Sequence, residues 1–287
     1  MPIKNIGVVG AGMMGAEIAL SFALAGYETA MADVTAEIAE NGRKKQVSLL
    51  ENRVKKGKLS KGEAERTIAR VSATCDYGDL KHCDLVIEAV PENLEIKFET
   101  YKKLDAVCAQ SCIIASNTSS ISIAKLASVV TRERAKRFIG THFNSPASVM
   151  KLVEVIPAIL TDEQTVAEVT ETLNDIGKET VLVKDVTGFA LNRLFHIFYL
   201  EACRLVEEGV CSVEDVDKIC VHGLGHPMGI FKLLDILGHD LSASVDEILF
   251  DAYGERFRPS AHMRRLIDSG MHGRKTGEGF YKYDAKA

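Results

Sequence analysis

Residues 6–15 read Ile-Gly-Val-Val-Gly-Ala-Gly-Met-Met-Gly, and this stretch decides the fold. An apolar run leads into three glycines spaced as G-x-G-x-x-G, and an amphipathic segment follows through Ala25 before Gly26. In a dinucleotide-binding βαβ unit, such glycines permit a tight turn, close backbone approach to the pyrophosphate, and close packing of helix on strand. The N-terminus of that helix supplies N–H groups to the anion. The residues predicted to bind the cofactor here are Gly10, Gly12, Met13, Met14 and Gly15.

A second predicted strand, residues 28–32, leads to Asp33. An acidic side chain at this distance from the glycines accepts hydrogen bonds from the adenosine ribose hydroxyls, and its charge repels the 2′-phosphate of NADP. Because no arginine directly follows Asp33, the sequence favours NAD. The alternative is a glycine turn that only joins two elements, with Asp33 capping a helix that starts near Thr35.

Seven predicted strands alternate with longer amphipathic stretches up to residue 183, which is typical of βα units in a mostly parallel, doubly wound sheet. After Asp185 this alternation stops, and apolar residues recur three and four apart from Leu191 to Val206, as on one helix face. The sequence therefore predicts a Rossmann-like α/β domain over residues 1–186 and an all-helical domain over residues 187–287. The predicted strands are 5–9, 28–32, 84–90, 112–115, 138–141, 152–156 and 180–183.

The composition excludes several classes of protein. The 287 residues carry 35 Lys and Arg against 40 Asp and Glu, and a formal net charge of −5 argues against nucleic acid as a partner. No window approaches the roughly 20 apolar residues that cross a bilayer, and the start of the chain lacks the pattern of a secretory signal. The seven cysteines are odd in number and irregularly spaced, which predicts reduced thiols and a cytoplasmic protein.

Six further motifs resemble the 3-hydroxyacyl-CoA dehydrogenase family, especially its short bacterial 3-hydroxybutyryl-CoA dehydrogenases. The resemblance spans nearly the whole chain, and six motifs in the family's order are far more specific than three glycines. The motifs are Ser-Asn-Thr-Ser-Ser at 116–120, His-Phe at 142–143, Met-Lys-Leu-Val-Glu-Val at 150–155, Gly-Phe-Ala-Leu-Asn-Arg at 188–193, Pro-Met-Gly at 227–229 and Gly-Arg-Lys-Thr-Gly-Glu-Gly-Phe-Tyr at 273–281.

The resemblance implies a reversible hydride transfer between C3 of a 3-hydroxyacyl-CoA and NAD. His142 is the fitting base, because imidazole titrates near neutral pH, and Glu154 would bond its other nitrogen and stabilise the imidazolium. Ser119 matches a serine that bonds the substrate's C3 oxygen and the nicotinamide region. Asn192 matches an asparagine that bonds the substrate from the second domain, so the site is expected between the domains. Taken alone, His142 is better explained as a core histidine and Glu154 as a surface carboxylate, but the family resemblance reverses this preference.

Five more residues are implied by the resemblance. Glu92 and Lys97 stand at the family's nicotinamide ribose positions, after a predicted strand, although a solvated helix start would also explain them. Lys275 matches a further cofactor contact, or is otherwise an ordinary surface lysine. Ser48 and Lys55 match positions beside the adenosine end of CoA, and the basic run 53–61 is suited to the CoA phosphates. The alternative for this run is a solvated helix face.

Two further expectations concern a metal and a second copy of the chain. His222 and His226 are four apart, as metal ligands on one helix face would be, but Gly223 and Gly225 indicate a loop, so no metal is predicted. Apolar faces on several short helices after Gly188 exceed what about 100 residues can readily cover, which predicts a homodimer.

The chain departs from the family directly after the histidine, where residues 142–146 read His-Phe-Asn-Ser-Pro instead of the usual His-Phe-Phe-Asn-Pro. Asn144 replaces an aromatic residue, and Ser145 replaces the asparagine that reaches substrate and cofactor. Lys232 stands where the family usually has a glutamate, and His239 stands where it usually has a leucine. Because a buried polar group is stable only when it is bonded, polar positions near the reacting carbons favour an acyl group with an extra hydroxyl, carboxyl or ring.

Two alternatives to a plain hydroxyacyl-CoA dehydrogenase stay open. The first is an enzyme of the same fold that acts on a free hydroxy acid, such as a gulonate or carnitine dehydrogenase. Those relatives usually read His-Pro, so Phe143 favours the CoA branch. The second is an NAD-binding structural protein without turnover. The intact set of candidate site residues weighs against it: Ser119, His142, Glu154 and Asn192.

Overall fold

The computed structural model describes residues 3–283 of the chain. The chain divides into two compact units, with the boundary between Val186 and Thr187. In the described range, no helix is long and apolar enough to cross a bilayer. All seven cysteines are free thiols.

The first unit is built on one eight-stranded sheet. Its strands are β1 (Asn5–Val9), β2 (Glu28–Ala32), β3 (Val71–Thr74), β4 (Leu85–Glu88), β5 (Ile113–Ser116), β6 (Phe138–Phe143), β7 (Leu152–Pro157) and β8 (Glu179–Leu182). Their order across the sheet is β3-β2-β1-β4-β5-β6-β7-β8, and all neighbours are parallel except β6 and β7. The strand order reverses between β1 and β4, and doubly wound sheets bind ligands outside the carboxyl ends of strands at such a switch point. The predicted Rossmann-like fold is confirmed.

Seven α-helices connect these strands: α1 (Met13–Leu24), α2 (Ala36–Lys55), α3 (Lys61–Ala69), α4 (Leu94–Val107), α5 (Ile123–Ala127), α6 (Arg132–Lys136) and α7 (Glu163–Asp175). Helix α1 is buried along residues 15–23, because small and apolar residues occupy almost every position of its middle. Side chains cap the starts of several helices. Ser60 and Glu63, for example, form a reciprocal capping box at the start of α3.

The predicted strands differ from the observed ones by more than one residue in three places. Strand β3 was not predicted, because only Val71 of its four residues is fully buried and the apolar signal is correspondingly weak. The prediction of 84–90 runs too far, since β4 ends at Glu88, whose carboxylate accepts the N–H of Val90. Strand β6 continues to Phe143, beyond the predicted end at residue 141, because residues 139–143 pair with β7.

The second unit is helical. Its helices are α8 (Leu191–Glu207), α9 (Val213–Lys218), α10 (Ile230–Leu237), α11 (His239–Tyr253) and α12 (Ala261–Asp268), and a π-helical turn (Ile219–Gly223) extends α9. Fully buried Tyr199, Phe231, Leu234 and Leu249 belong to its core cluster. The apolar face predicted for α8 is only partly buried: Tyr199 and Ala202 are buried, whereas Leu194 is 69% exposed.

Candidate active site

The glycine turn lies between β1 and α1. Gly10 has a φ of +99°, which side chains disfavour, and a Cβ on Gly15 would lie 1.7 Å from the carbonyl oxygen of Gly10. A Cβ on Gly12 would meet nothing within 4 Å. Helix α1 begins at Met13, which is 68% exposed, without a side-chain cap, and Met14 packs against the core. The turn therefore leaves open space and uncapped N–H groups that suit a pyrophosphate.

Asp33 is tied to this turn. Its Oδ2 accepts the N–H of Ala11 at 2.6 Å, and its Oδ1 accepts the N–H of Val34 at 2.7 Å. The alternative in which Asp33 caps α2 is wrong, because Thr35 is the cap and accepts the N–H of Ile38. A half-buried carboxylate beside the glycine turn can accept hydrogen bonds from ribose hydroxyls, as an NAD site requires.

His142 and Glu154 lie opposite each other on the antiparallel strands β6 and β7. Nδ1 of His142 is 2.7 Å from Oε2 of Glu154, and the two residues are only 5% and 1% exposed. An ionised carboxylate only accepts hydrogen bonds, so Nδ1 carries the proton in this pair. Nε2 is then the ring nitrogen left to exchange a proton with a substrate. The alternative of a surface carboxylate is wrong for Glu154.

Glu92 anchors the loop that carries Ser119. Its Oε1 accepts the Oγ1–H of Thr118 at 2.5 Å and the N–H groups of Ser119 and Ser120 at 3.0 and 3.1 Å. Burial raises the pKa of Glu92, but the charge of Lys97 and the hydrogen bonds from this loop outweigh burial, so the pKa lies below its usual range. Glu92 is therefore a carboxylate that holds the serine-rich loop in place.

Lys97 is buried, so a solvated helix start does not explain it. Its surface is 1% exposed, and its Nζ lies 2.7 Å from Oε1 of Glu88 and 3.2 Å from Oε2 of Glu92. Glu88 also accepts hydrogen bonds from the hydroxyls of Ser116 and Tyr101. No role was predicted for Glu88, although a glutamate that ends a buried apolar strand is a visible signal in the sequence. This network joins β4, α4 and β5 beneath the loop of Glu92.

The carboxyl ends of β1, β4, β5 and β6 share one edge of the sheet, because these strands are parallel. Four predicted site residues lie at or just beyond these ends: Gly10, Glu92, Ser119 and His142. Asn117, for which no role was predicted, joins two of these segments. Its Oδ1 accepts the N–H of Phe143 at 2.9 Å and so ties the loop after β5 to the end of β6.

The remaining predicted residues of the first unit lie on a loop and on α2. Asn144 directly follows β6 and donates to the carbonyl oxygen of Leu152 at 3.4 Å, and the next residue, Ser145, is exposed. Ser48 and Lys55 are exposed on α2. Lys55 borders a mostly apolar cavity of about 350 Å³ between α2 and α3.

Two predicted site residues belong to the second unit. Asn192 is the second residue of α8 and is half-buried. Nζ of Lys275 lies 2.6 and 2.7 Å from the two carboxylate oxygens of Asp240, and both side chains are about half exposed. Lys275 is therefore an ion-paired lysine at the surface of this unit.

His239 is a core residue of the second unit. It is fully buried, its Nδ1 lies 2.9 Å from the carbonyl oxygen of Met271, and its Nε2 lies 2.7 Å from Oδ1 of Asp235. Its ring packs edge-on against Phe280. Because protein groups already engage both ring nitrogens, the prediction that this polar departure bears on the acyl group is wrong for His239.

The Asp235→Asn variant should unfold more easily than the wild type at pH 7. Burial raises the pKa of Asp235, but hydrogen bonds from His239, the Phe280 N–H and the Tyr283 hydroxyl outweigh burial and lower it. A lowered folded-state pKa stabilises the fold above the unfolded value of about 3.9, and this stabilisation is lost as the pH falls through the folded value. We expect a loss of roughly 2–4 kcal/mol at pH 7, and a smaller loss below about pH 4.

Urea unfolding at both pH values measures this difference. Asp251→Asn is the matched control, because Asp251 is an exposed aspartate on α11. Its effect should stay within about 0.5 kcal/mol. Equal stabilities of Asp235→Asn and Asp251→Asn at pH 7 would show that the Asp235 network contributes nothing to the fold.

The two histidines that were weighed as metal ligands lie near the end of the π-helical turn. His222 is within that turn, and His226 follows it, with its N–H donating to the carbonyl oxygen of Cys220. Among residues 3–283, no group of three His, Cys, Asp or Glu side chains is arranged to hold a metal ion.

Two family models match the chain. The model described as "3-hydroxyacyl-CoA dehydrogenase, NAD binding domain" matches residues 5–186, and the one described as "3-hydroxyacyl-CoA dehydrogenase, C-terminal domain" matches residues 188–283. The prediction of NAD as the cofactor is confirmed by the first of these. The family resemblance stated from the motifs is confirmed by both.

Relatives and solved structures agree with these matches. A probable 3-hydroxybutyryl-CoA dehydrogenase of Bacillus subtilis is 40% identical, over 100% of this chain and 99% of its own. Among solved structures, Mycobacterium tuberculosis FadB2 is 38% identical with a TM-score of 0.94, covering 99% of this chain and 100% of its own. The (S)-3-hydroxybutyryl-CoA dehydrogenase PaaH1 from Ralstonia eutropha is 38% identical with a TM-score of 0.93, covering 98% and 99%.

Proposed function

Because the chain belongs to the 3-hydroxyacyl-CoA dehydrogenase family, we propose that it interconverts 3-hydroxybutyryl-CoA, or a similar 3-hydroxyacyl-CoA, and the corresponding 3-oxoacyl-CoA. When bound, NAD accepts the hydride from C3 of the substrate or returns it. The single observation that carries the proposal is the buried pair of His142 and Glu154, with 2.7 Å between Nδ1 and Oε2. The open space at Gly12 and the carboxylate of Asp33 fit the cofactor.

His142 acts as general base and general acid in this proposal. In the oxidising direction, its Nε2 takes the proton of the C3 hydroxyl while the C3–H bond releases its electron pair as hydride. Glu154 keeps the proton on Nδ1 and stabilises the imidazolium that forms. In the reducing direction, the same imidazolium returns its proton to the C3 oxygen. A general base positioned in this way contributes about 10²- to 10⁴-fold to the rate.

The other site residues take binding roles. Ser119 donates to the C3 oxygen, and Asn192 bonds the substrate. Glu92 binds the nicotinamide ribose and is held by Lys97, which also belongs to the cofactor site. Lys275 provides a further cofactor contact. The roles of Glu92 and Ser119 are supported by the hydrogen bonds of 2.5–3.1 Å with which Glu92 orders the loop of Ser119.

The thioester substrate and a second copy of the chain are the proposed partners. Ser48 and Lys55 bind the adenosine end of CoA from the exposed side of α2, and Asn144 and Ser145 contact the acyl group. The homodimer would form through the second unit, where Leu194, Leu224 and Leu241 are 69%, 56% and 60% exposed. Exposed apolar side chains that form one contiguous patch are typical of a surface that a partner covers.

A substrate comparison tests the proposed function. We expect NADH oxidation with acetoacetyl-CoA and very slow oxidation with free acetoacetate, because only the thioester can use the CoA contacts on α2. Initial rates of NADH loss at matched concentrations measure both. A higher kcat/KM with free acetoacetate would establish the free hydroxy acid alternative, and no oxidation with any substrate would favour the structural protein.

The polar residues Asn144 and Ser145 set the acyl preference in the same assay. Cyclic and dicarboxylic 3-oxoacyl-CoA substrates should be reduced with a higher kcat/KM than acetoacetyl-CoA if these side chains bond an extra polar group. A clear advantage of acetoacetyl-CoA over the others would assign the chain to the plain short-chain activity.

A further inference from the structure

The loop 144–150, which connects β6 to β7, is held by side chains from elements far away in the sequence. The carboxylate of Glu17, on α1, accepts the N–H and the Oγ–H of Ser148, each at 3.1 Å. Nη2 of Arg53, near the end of α2, donates to the carbonyl oxygen of Ser148 at 2.6 Å. The N–H and the carbonyl group of Ser148 are thus both hydrogen-bonded to charged side chains, which come from two different helices.

A third charged residue holds the same loop. Nζ of Lys178, just before β8, donates to the carbonyl oxygens of Ala147 at 2.5 Å and Met150 at 2.8 Å, and Lys178 is 8% exposed. Burial lowers the pKa of Lys178, the charge of Arg53 lowers it further, and the carboxylate of Glu17 opposes both. Glu17, Arg53 and Lys178 therefore act on one another as well as on the loop, and we call these three residues the loop clasp.

The loop clasp joins elements that have separate roles in the proposed reaction. Glu17 lies two residues beyond Gly15, on the helix that starts at the glycine turn. Arg53 lies two residues before Lys55, on the helix that carries the proposed CoA contacts. The clasped loop begins at Asn144, two residues after His142. Hydrogen bonds to charged groups are about twice as strong as neutral ones, so such contacts can fix a loop that has no regular structure.

We propose that Arg53 is a positioning residue, which acts through the loop clasp to set the place of Asn144 and Ser145 against the acyl group. The proposal rests on the proposed function. It differs from the prediction that the basic run 53–61 binds the CoA phosphates, because Nη2 of Arg53 donates its hydrogen bond to the carbonyl oxygen of Ser148. A residue that positions the loop affects every thioester, whereas a residue that binds CoA phosphates affects only substrates that carry them.

A truncated substrate separates these two roles. Acetoacetyl-pantetheine lacks the adenosine and its phosphates. In Arg53→Met, we expect the KM to rise about tenfold both for this thioester and for acetoacetyl-CoA. A tenfold change corresponds to about 1.4 kcal/mol. The KM for NADH should stay within about twofold of the wild-type value. In Arg53→Lys, the KM for the thioesters should rise less than in Arg53→Met, because the lysine ammonium can still donate a hydrogen bond. Arg43→Met is the matched control, since Arg43 lies on the same helix and pairs only weakly with Glu40, at 3.8 Å. A rise for the CoA thioester alone would overturn the proposal.

Hydrogen exchange tests the loop clasp independently of turnover. In the substrate-free enzyme, Arg53→Met and Glu17→Gln should each speed exchange of the amides 147–150 about tenfold, while amides of β1 keep their wild-type rates. Unchanged exchange in both variants would overturn the clasp, and faster exchange with unchanged thioester KM would overturn the positioning role. If the wild type turned over no thioester, the proposed function would fail, and the exchange rates would still decide whether the clasp holds the loop.

Discussion

The His142→Gln variant should reduce acetoacetyl-CoA roughly 10²- to 10⁴-fold more slowly than the wild type, with the loss mainly in kcat. Glutamine can still donate a hydrogen bond to Glu154, so the buried carboxylate keeps a partner and the fold is preserved. However, an amide does not exchange a proton near neutral pH, and the C3 oxygen must then take its proton from water. Initial rates at saturating NADH measure the effect.

Two controls distinguish this loss from a disturbed site. The affinity for NADH, measured by fluorescence titration, should be unchanged in His142→Gln. The Glu154→Gln variant keeps the imidazole and loses only the charge beside it, so its rate should fall between those of the wild type and His142→Gln. A wild-type kcat in His142→Gln would remove this histidine from the mechanism, whatever its contacts.

The Gly12→Ala variant should lose most of its affinity for NADH and keep its fold. Apart from its neighbours in the chain, no atom of the protein lies within 4 Å of a Cβ built at this position, so the methyl group disturbs no contact of the chain itself. It extends into the space where the backbone must approach the pyrophosphate. We expect the Kd for NADH to rise by at least about 100-fold, or 2.7 kcal/mol, with the thermal midpoint of the unliganded protein unchanged.

The Gly15→Ala variant provides the contrast. Its Cβ would lie 1.7 Å from the carbonyl oxygen of Gly10, so the turn and α1 must separate. This variant should lose both NADH affinity and stability, the latter by several kcal/mol, because backbone cannot move aside as a flexible side chain can. Wild-type NADH affinity in Gly12→Ala would place the cofactor elsewhere on the molecule.

The glycine motif made the first βαβ unit predictable, because Gly10 and Gly15 have steric requirements that only glycine meets. The pairing of His142 with Glu154 could not be predicted from the strands alone, because it depends on their register. Both strands were predicted, but a shift of one residue in their register would turn one of the two side chains to the other face of the sheet. The register also depends on loop 144–150, whose contacts come from distant residues such as Glu17 and Lys178.

Burial of single polar residues was the least predictable feature. Lys97 resembles a solvated helix residue in the sequence, and only the fold shows that Glu88 and Glu92 surround its ammonium group. His239 resembled a functional substitution because the sequence does not show that its ring is buried. One signal for its structural role was present, since Asp235 lies one helical turn earlier, although the glycine between them, Gly238, obscured it. Such pairs become evident only when the elements that carry them are known to be packed against each other.

Hydride transfer itself is the most direct test of the account. NADH carrying deuterium at C4, on each face of the ring in turn, is incubated with acetoacetyl-CoA and the enzyme, and the product is analysed by mass spectrometry. We expect one of the two labelled forms to place a single deuterium at C3 of 3-hydroxybutyryl-CoA, and His142→Gln to slow its appearance. A product without deuterium from either form, or no product from any 3-oxoacyl-CoA, would contradict the account.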